Sequence, residues 1–335
     1  MKFMQKSKNI IIWPVLLVVL AGIFIFSLFM GRYMVSPAGV LKILWHSLRG
    51  LPQDSMDASV VMNIRLPRTI LALLVGAGLA TTGAAYQGLF QNPLVSPDVL
   101  GTSAGAAFGA VLGILLSGMD YRAMALSVIF GLLSVVLVFL LSMLSGQTTV
   151  ISLVLSGMIV QALMNALISL SKYVADPTEK LPAITYWLMG SFISANYGLL
   201  KLVTIPILLG IAVIFALRWR INVLSMGDEE CISLGIDPVK TRGAIIIACT
   251  LITAASVMAT GVIGWVGLVI PHIARMLVGV DHNRLVPASA LTGGAFMILV
   301  DVLARSITDS ELPIGILTAL IGAPFFAVLF WKRGK

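Results

Sequence analysis

Charged side chains are scarce in this sequence, and long stretches of it have none. Only 11% of the 335 residues are charged, whereas a soluble domain carries roughly 25%. Neither residues 69–97 nor residues 123–171 contain a single charge. Because a helix needs about 20 apolar residues to cross a bilayer core about 30 Å thick, these stretches predict membrane spans. The same scarcity excludes a separate soluble domain.

The apolar runs also lack the alternation of apolar and polar residues that barrel strands show. Lipid offers the backbone no hydrogen-bond partner, so spans of this kind have to be helices. The sequence therefore predicts an all-α integral membrane protein, one transmembrane domain over residues 1–335 with about ten spans. The short run 267–280 contains Pro271 and is expected to cross partway or to begin as a broken helix. The predicted spans lie near residues 10–31, 60–87, 97–116, 123–143, 149–171, 198–217, 241–262, 267–280, 285–305 and 312–331.

Basic residues at both ends of the chain set the predicted orientation. The positive-inside rule places such ends in the cytoplasm, which requires an even number of spans. Loop 218–242 then also falls on the cytoplasmic side. The first apolar run continues to about Met30 without a small-residue cleavage site, so we interpret it as a retained span. The basic residues are Lys2, Lys6 and Lys8 at the start and Lys332, Arg333 and Lys335 at the finish.

Signals of enzymatic, metal-binding and nucleic-acid chemistry are missing. Cys231 and Cys249 have no metal-ligand spacing, and we expect two free thiols. A phosphate-binding loop needs G-x-x-x-x-G-K-[ST], yet the only Gly-Lys pair is Gly334-Lys335. No basic stripe carries interleaved aromatic residues, so we assign the net charge of +8 to the membrane boundary. We therefore expect no enzyme, no nucleic-acid binding, and no metal or cofactor in this chain.

Glycine, in contrast, is frequent, with 31 residues. Gly101, Gly105, Gly109 and Gly113 recur every four residues and therefore share one helix face. Small residues at this spacing let membrane helices approach closely. The spacing predicts tight helix packing and does not identify a function.

The most unusual polar segment is Gly227 to Asp237, with the sequence GDEECISLGID. Its three successive acidic residues favour the N-terminus of a helix, and Gly235 is suited to end one. Two interpretations stay open: a solvated loop, or a short cytoplasmic helix that inserts into a partner. The second interpretation assigns contact residues within a segment near 222–240, namely Gly227, Asp228, Glu229, Glu230, Leu234 and Gly235.

Three arginines, Arg65, Arg68 and Arg305, fall at the predicted outer ends of their spans. Single arginines in such places extend to lipid headgroups, whereas three together could bind carboxylates of a partner protein. The pattern leaves both interpretations open. Asp301 lies four residues before Arg305 and can pair with it. Ion-coupled carriers also hold acids within the membrane, so a secondary carrier with Asp301 as its coupling site is an alternative.

Four long motifs resemble one family. They are RLPRTILALLVGAGLATTGAAYQGLFQNPLVSPDVLGTSAGAAFG (Arg65–Gly109), GDEECISLGID, GVIGWVGLVIPHIARMLVGVDHNRLVPASAL (Gly261–Leu291) and ELPIGILTALIGAPFF (Glu311–Phe326). In this order they resemble the FecCD-type permeases, the membrane subunits of type II ABC importers for iron–siderophore, haem and vitamin B12. The resemblance implies a BtuC-like permease bundle in the cell membrane, with both termini cytoplasmic and two copies forming a homodimer.

The resemblance also implies roles for particular residues. Segment 227–235 corresponds to the segment that couples such permeases to their ATPase subunits. Arg65, Arg68 and Arg305 correspond to outer arginines that meet acidic residues of a substrate-binding protein. A short outer helix is expected within Asp176–Ser191. The cytoplasmic gate of the pathway corresponds to Asn92, Leu94, Thr148 and Thr149.

Together these roles imply an ATP-driven importer that works by alternating access. Two permease copies would form one pathway, two ATPase subunits would bind ATP and Mg²⁺ beneath it, and a binding protein would deliver the cargo. Iron–siderophore is the expected cargo, with haem, a corrinoid or molybdate also open. The alternatives are the ion-coupled carrier and a non-transporting scaffold that binds a cytosolic protein through residues 227–237.

Overall fold

Helices form the regular structure of this protein. The computed structural model describes residues 2–51, 54–144, 146, 149–308 and 310–333, with side chains described from Ile11 onward except at 330, 332 and 333. No strand occurs in these ranges, which confirms the predicted all-α class. The helices are α1 (Lys2–Phe29), α2 (Pro37–Leu48), α3 (Met56–Ser59), α4 (Leu66–Leu89), α5 (Thr102–Ser117), α6 (Tyr121–Leu144), α7 (Val150–Val174), α8 (Lys180–Leu188), α9 (Tyr197–Leu224), α10 (Asp228–Ser233), α11 (Pro238–Thr260), α12 (Val266–Val278), α13 (His282–Ala304) and α14 (Ile314–Arg333).

Among the described residues, seven helical segments are long and apolar enough to cross a membrane. Three shorter apolar helices accompany them, and each of the predicted spans coincides with one of these segments. The number of full crossings and the cytoplasmic position of both ends stay predictions. The long segments are Ile11–Phe29, Met56–Leu89, Tyr121–Leu144, Val150–Val174, Tyr197–Leu224, Pro238–Thr260 and His282–Ala304; the shorter ones are Thr102–Ser117, Val266–Val278 and Ile314–Leu329.

Helix α12 is too short to cross a bilayer by itself. Its 13 residues rise about 20 Å, whereas the bilayer core is about 30 Å thick. A turn in which Gly261 and Trp265 both have positive φ separates it from α11, and Pro271 lies within it. This length agrees with the partial crossing that the sequence predicted for 267–280.

The first connection of the bundle contains structure that hydropathy did not predict. Helix α2 has 12 residues, too few for a span, and the next helical segment begins at Met56 rather than near residue 60. A π-helical turn at Val60–Arg65 joins α3 to α4, so that Met56–Leu89 runs on for 34 residues. The π turn adds a residue to the helical ladder and directs Arg65 toward the end of α1, whose carbonyls it contacts.

Burial divides the spans into a central and an outer set. In α4 and α11, 78% of the spanning residues are buried, whereas the corresponding share is 11% in α1, 28% in α6 and α9, and 33% in α7. Lipid tails are as apolar as these exposed side chains, so an exposed apolar face is stable against lipid or another chain. These two helices, together with α13, where the share is 61%, therefore form the packed core, and the outer helices are available to lipid and to partner chains.

The glycine face of α5 lies against α6. A Cβ atom added to Gly105 would lie 2.6 Å from the carbonyl oxygen of Phe130, and one added to Gly109 would lie 2.1 Å from that of Leu126. Real Cβ atoms do not approach a backbone oxygen so closely, because such distances are inside van der Waals contact. The predicted packing face is confirmed at these positions.

We predict that Gly109→Ala lowers the free energy of unfolding by about 1–3 kcal/mol, because the added methyl has to push α5 and α6 apart. Thermal unfolding of the purified chain in mild detergent measures the change. Gly243→Ala on α11 is the matched control, since no heavy atom lies within 4 Å of its added Cβ, and alanine there should be neutral or slightly stabilising. Equal stability of the two variants would contradict close packing of α5 on α6.

Candidate coupling, gate and docking sites

The segment GDEECISLGID forms a short helix, α10, held between the ends of α9 and α11. Gly227 precedes it with φ of 130°. At its other end the amide of Gly235 donates to the Ile232 carbonyl and the amide of Ile236 donates to that of Cys231, the two bonds of a Schellman motif. Gly235 has φ of 73°, as that motif requires. The helical interpretation of this segment is confirmed.

An ion pair fixes α10 to α11. Arg242 Nη1 donates to Asp228 Oδ2 at 2.9 Å, and Arg242 Nη2 donates to Asp228 Oδ1. This bidentate geometry restricts the orientation of both groups. Beneath it the Cys231 side chain is buried, and burial raises the pKa of its thiol, so the thiol is neutral at physiological pH. A displacement of α10 would therefore move the first turns of α11.

The opposite side of α10 is exposed and largely apolar. Ile232 is 65% exposed and Leu234 56% exposed, and Glu229 and Glu230 lie exposed beside them. Met226 and Val239, just outside the helix, extend the apolar area. Exposed apolar side chains on a polar loop indicate a contact surface for a partner. We call the six residues Met226, Glu229, Glu230, Ile232, Leu234 and Val239 the α10 face.

The predicted gate residues that the structure describes lie at two turns. Asn92 Oδ1 accepts a hydrogen bond from the Leu94 amide at 2.9 Å, and Leu94 itself is 63% exposed. Thr149 begins α7 through a capping box with Ser152, an arrangement that stabilises a helix start. Thr148 lies outside the described residues. The gate role of these residues stays a prediction.

The end of α9 carries a pair of polar links that the sequence did not indicate. Gln91, with φ of 50°, donates from Nε2 to the Leu224 carbonyl at 3.1 Å. Asn222 Nδ2 donates to Asp281 Oδ1 at 2.6 Å, and its Oδ1 accepts the His282 amide at 2.8 Å. The end of α9, directly before α10, thus holds both the loop after α4 and the start of α13. Neither Gln91 nor Asn222 stands out in the sequence, because each is an uncharged amide near the end of an apolar run.

The three arginines predicted on the outer face are buried. They are 3–6% exposed, so they neither extend to lipid headgroups nor lie free on the outer surface. Arg65 Nη1 donates to the Leu28 carbonyl at 2.8 Å and to the Phe29 carbonyl at 3.0 Å. These carbonyls belong to the last turn of α1, whose final C=O groups have no partner within the helix. Arg65 therefore caps α1, and docking itself stays a prediction.

Arg68 and Arg305 share one buried carboxylate. Arg68 Nε donates to Asp301 Oδ1 at 2.8 Å, and Arg305 Nε lies 3.5 Å from Asp301 Oδ2, which confirms the predicted i,i+4 pair. Asp301 is fully buried. Arg68 Nη1 also donates to Glu311 Oε1 at 2.9 Å, and Arg305 Nη2 donates to the Ser27 carbonyl at 2.6 Å. This outer ion cluster ties α1, α4, α13 and the loop before α14 together.

We predict that Asp301→Asn lowers the free energy of unfolding by about 3–5 kcal/mol, because it leaves two buried guanidinium groups short of their counter-ion. Thermal unfolding in mild detergent measures the loss, with the exposed Asp54→Asn as control. If Asp301 is instead the coupling site of a carrier, the variant should unfold like the wild type and lose only gradient-driven uptake. That result would contradict the structural role.

The predicted outer helix within Asp176–Ser191 is present as α8. It borders a cavity of about 430 Å³ that is lined by Trp187, Thr260 and Glu311 among others. The amide of Ser191 donates to the Thr260 carbonyl at 2.7 Å and that of Ile314 to the Gly190 carbonyl at 2.9 Å. Glu311 therefore belongs both to the outer ion cluster and to the wall of this cavity.

A polar stripe follows the exposed side of α7. Gln161 is half-buried, and Asn165 and Ser169, one turn apart, are exposed. The Ser169 hydroxyl donates to the Asn165 carbonyl at 2.9 Å, but the exposed amide would lack partners in hydrocarbon. A polar stripe at membrane depth faces a water-filled space or another protein surface. We call these three residues the α7 stripe.

The pattern of the FecCD transport family matches residues 16–332 of the chain. The chain belongs to the FecCD transport family. This FecCD protein is 44% identical over 308 residues to the molybdate import system permease protein MolB of Haemophilus influenzae, with 92% of this chain and 91% of MolB covered. It is 42% identical over 296 residues to a Helicobacter pylori protein named as a probable iron chelatin transport system permease, covering 88% of this chain and 89% of the relative.

A solved structure also resembles this FecCD protein closely. The two share 41% sequence identity with a TM-score of 0.87, over 96% of this chain and 99% of the other. The solved protein is described as a metal-chelate type ABC transporter in an inward-facing conformation. The FecCD chain is accordingly a multi-pass membrane protein and the permease subunit of an ABC importer, the class that the four motifs suggested.

Proposed function

We propose that this chain is one of two identical permease subunits in an ATP-driven importer, with two ATPase subunits below it and a substrate-binding protein above it. The α10 face carries the proposal. It combines exposed apolar and acidic side chains at the end of the bundle where the polar links of α9 lie. No phosphate-binding loop occurs in the sequence, so ATP and Mg²⁺ belong to the partner.

The contacts around α10 suggest how a partner's motion reaches the pathway. The Asp228–Arg242 ion pair couples α10 to α11. The bond from Gln91 to the Leu224 carbonyl couples the end of α9 to the loop that holds Asn92 and Leu94. An ATPase dimer that closes would therefore displace the coupling helix and the gate loop together. This arrangement supports alternating access with the gate at Asn92, Leu94, Thr148 and Thr149.

The α7 stripe supports a pathway shared by two copies. Its amide and hydroxyl groups are neutral and few, so they give water and cargo weak, sequential contacts. A pathway with weak affinity releases its cargo, whereas tight sites would trap it. With the second copy opposite, the two α7 stripes would face each other across one aqueous channel and would not meet lipid.

For the cargo we propose a metal carried in a polyatomic species, either a chelate such as an iron–siderophore or an oxyanion such as molybdate. The names of the two relatives support this class, since one is a molybdate permease and the other an iron chelatin permease. In such a system the binding protein selects the ligand before the permease meets it. The cargo is therefore identified by the ligand that the binding protein takes from molybdate, a ferric siderophore and haem.

We predict that Leu234→Ser lowers transport by about tenfold or more, as loss of a central apolar anchor does at protein interfaces. The complex with its ATPase subunits, reconstituted in vesicles, should still hydrolyse ATP, because the substitution leaves the nucleotide site untouched. Uptake and ATP turnover are measured on the same vesicles. Ser233→Ala, at the neighbouring exposed position, is the control and should transport normally. Wild-type uptake by the Leu234 variant would contradict the coupling role of the α10 face.

For docking, we propose that an acidic residue of the binding protein replaces Glu311 at Arg68. Glu311 is the more exposed of the two acids in the outer ion cluster, with a side chain 24% exposed, and its buried Oε2 has no hydrogen-bond partner. A carboxylate arriving from outside would meet Arg68 there without disturbing Asp301. The outer arginines would then serve docking from within a recess.

We predict that Glu311→Gln tightens binding of the substrate-binding protein by about two- to fivefold, the range expected for one partly exposed ion pair. Binding to the reconstituted importer is measured at low and at high salt, and the gain should shrink as salt screens the charges. Glu179→Gln, another exposed outer acid, should leave the affinity unchanged. Weaker binding by the Glu311 variant would show that Glu311 does not compete with the partner.

A further inference from the structure

Helix α2 packs through one face on the ends of two spans. Val40 and Ile43 are buried in a small apolar cluster with Leu28 and Val61. Leu28 belongs to the last turn of α1, and Val61 lies in the π turn that leads into α4. Because spans of this length end or begin near the surface of the bilayer, we expect α2 at the boundary between lipid and water.

This boundary lies at the opposite end of the bundle from α10. Helix α4 begins beside the cluster that holds α2 and ends next to Gln91, which contacts the last turn of α9. Its 24 residues extend about 36 Å, enough to cross the bilayer core. Helix α2 is therefore remote from the α10 face and from the loop that holds Asn92 and Leu94.

A second face of α2 is apolar but exposed. Leu41 is 55% exposed, Trp45 54% and Leu48 82%. Their spacing of four and three residues places them in one stripe on the helix. Transfer of such large apolar side chains out of water is favourable, so water alone is an unfavourable surrounding for the stripe.

Basic side chains lie beside this stripe. Lys42 and Arg49 follow it on the helix surface, both exposed, and the Arg49 guanidinium carbon lies 4.4 Å from the centre of the Trp45 ring. On another side of the helix, Ser47 borders a recess that also includes Asp54 and Ser59. Apolar, cationic and polar sectors thus follow one another around the helix.

We propose that α2 is an interfacial helix that binds anionic phospholipid. Leu41, Trp45 and Leu48 would enter the acyl boundary, while Lys42 and Arg49 contact lipid phosphates. Three observations favour lipid over a protein partner: α2 is seated on the ends of two spans, Trp45 is the residue type that concentrates at membrane interfaces, and the flanking charges complement an anionic surface. This lipid contact would be a role additional to transport, because it would fix this end of the bundle at a set depth in the bilayer.

The first test measures where the exposed stripe lies. A spin label is attached to Leu48→Cys and, as control, to Ser47→Cys in the full chain in phospholipid nanodiscs; both native cysteines are buried and therefore poorly accessible to the reagent. The label at 48 should collide mainly with oxygen, which concentrates in lipid, and the label at 47 mainly with a water-soluble nickel chelate. Equal exposure of both labels to the nickel chelate would overturn the proposal.

The second test separates anionic lipid from other occupants. Nanodiscs of phosphatidylcholine alone are compared with nanodiscs that contain equal parts of phosphatidylglycerol, with amide exchange of residues 37–49 as the readout. Anionic lipid should slow the exchange, by about fivefold for each basic residue that contacts the surface, and Lys42→Gln with Arg49→Gln should abolish the difference. Protection that requires the binding protein, with no effect of lipid composition, would show a protein partner and overturn the proposal.

Discussion

Hydrocarbon offers no hydrogen-bond partner, and the backbone and the buried charges of this bundle are arranged to meet that constraint. The backbone satisfies it by being helical. On α11 the hydroxyls of Thr250, Ser256 and Thr260 donate to carbonyls one turn earlier, which satisfies them within the helix. Charges need more than one helix: Asp301 is flanked by two arginines that arrive from α4 and from its own helix. The outer ion cluster exists because no member of it would be stable alone in lipid.

Close packing, rather than the hydrophobic effect, holds the helices of this bundle together. Lipid tails are as apolar as the side chains, so helices associate in a membrane through van der Waals contact and polar bonds. Glycine allows that contact: a Cβ added to Gly83 would lie 1.8 Å from the Gly267 carbonyl oxygen, so α4 and α12 meet backbone to backbone. Such contacts hold the short α12 within the bundle, because its 13 residues are too few to anchor it by spanning the bilayer.

The two ends of the bundle differ in how they use charge. At the outer end the arginines are buried and joined to several helices, which favours a fixed geometry. At the α10 end the Asp228–Arg242 pair joins α10 to α11, and the amides of Gln91 and Asn222 join the end of α9 to neighbouring segments, while the α10 face stays exposed. A few specific links beside an exposed surface suit a region that receives motion from a partner. The proposed membrane contact of α2 would hold the opposite end in place.

The amino-acid sequence alone determined the helical class, the position of each apolar segment and the family, because hydropathy and ordered motifs are local properties. The sequence left both a loop and a short helix open for residues 227–237, where the structure has a helix at 228–233. It did not reveal α2, whose apolar residues are too few for a span. It also placed Arg65, Arg68 and Arg305 on an outer face, since the position of a residue at the end of a span predicts its depth in the bilayer but not the direction of its side chain. Only the tertiary structure decided that these arginines point inward, because their partners, Leu28, Asp301 and Glu311, lie on other segments, apart from the Arg305–Asp301 pair. The Gln91–Leu224 contact, 133 residues apart, needed the fold for the same reason.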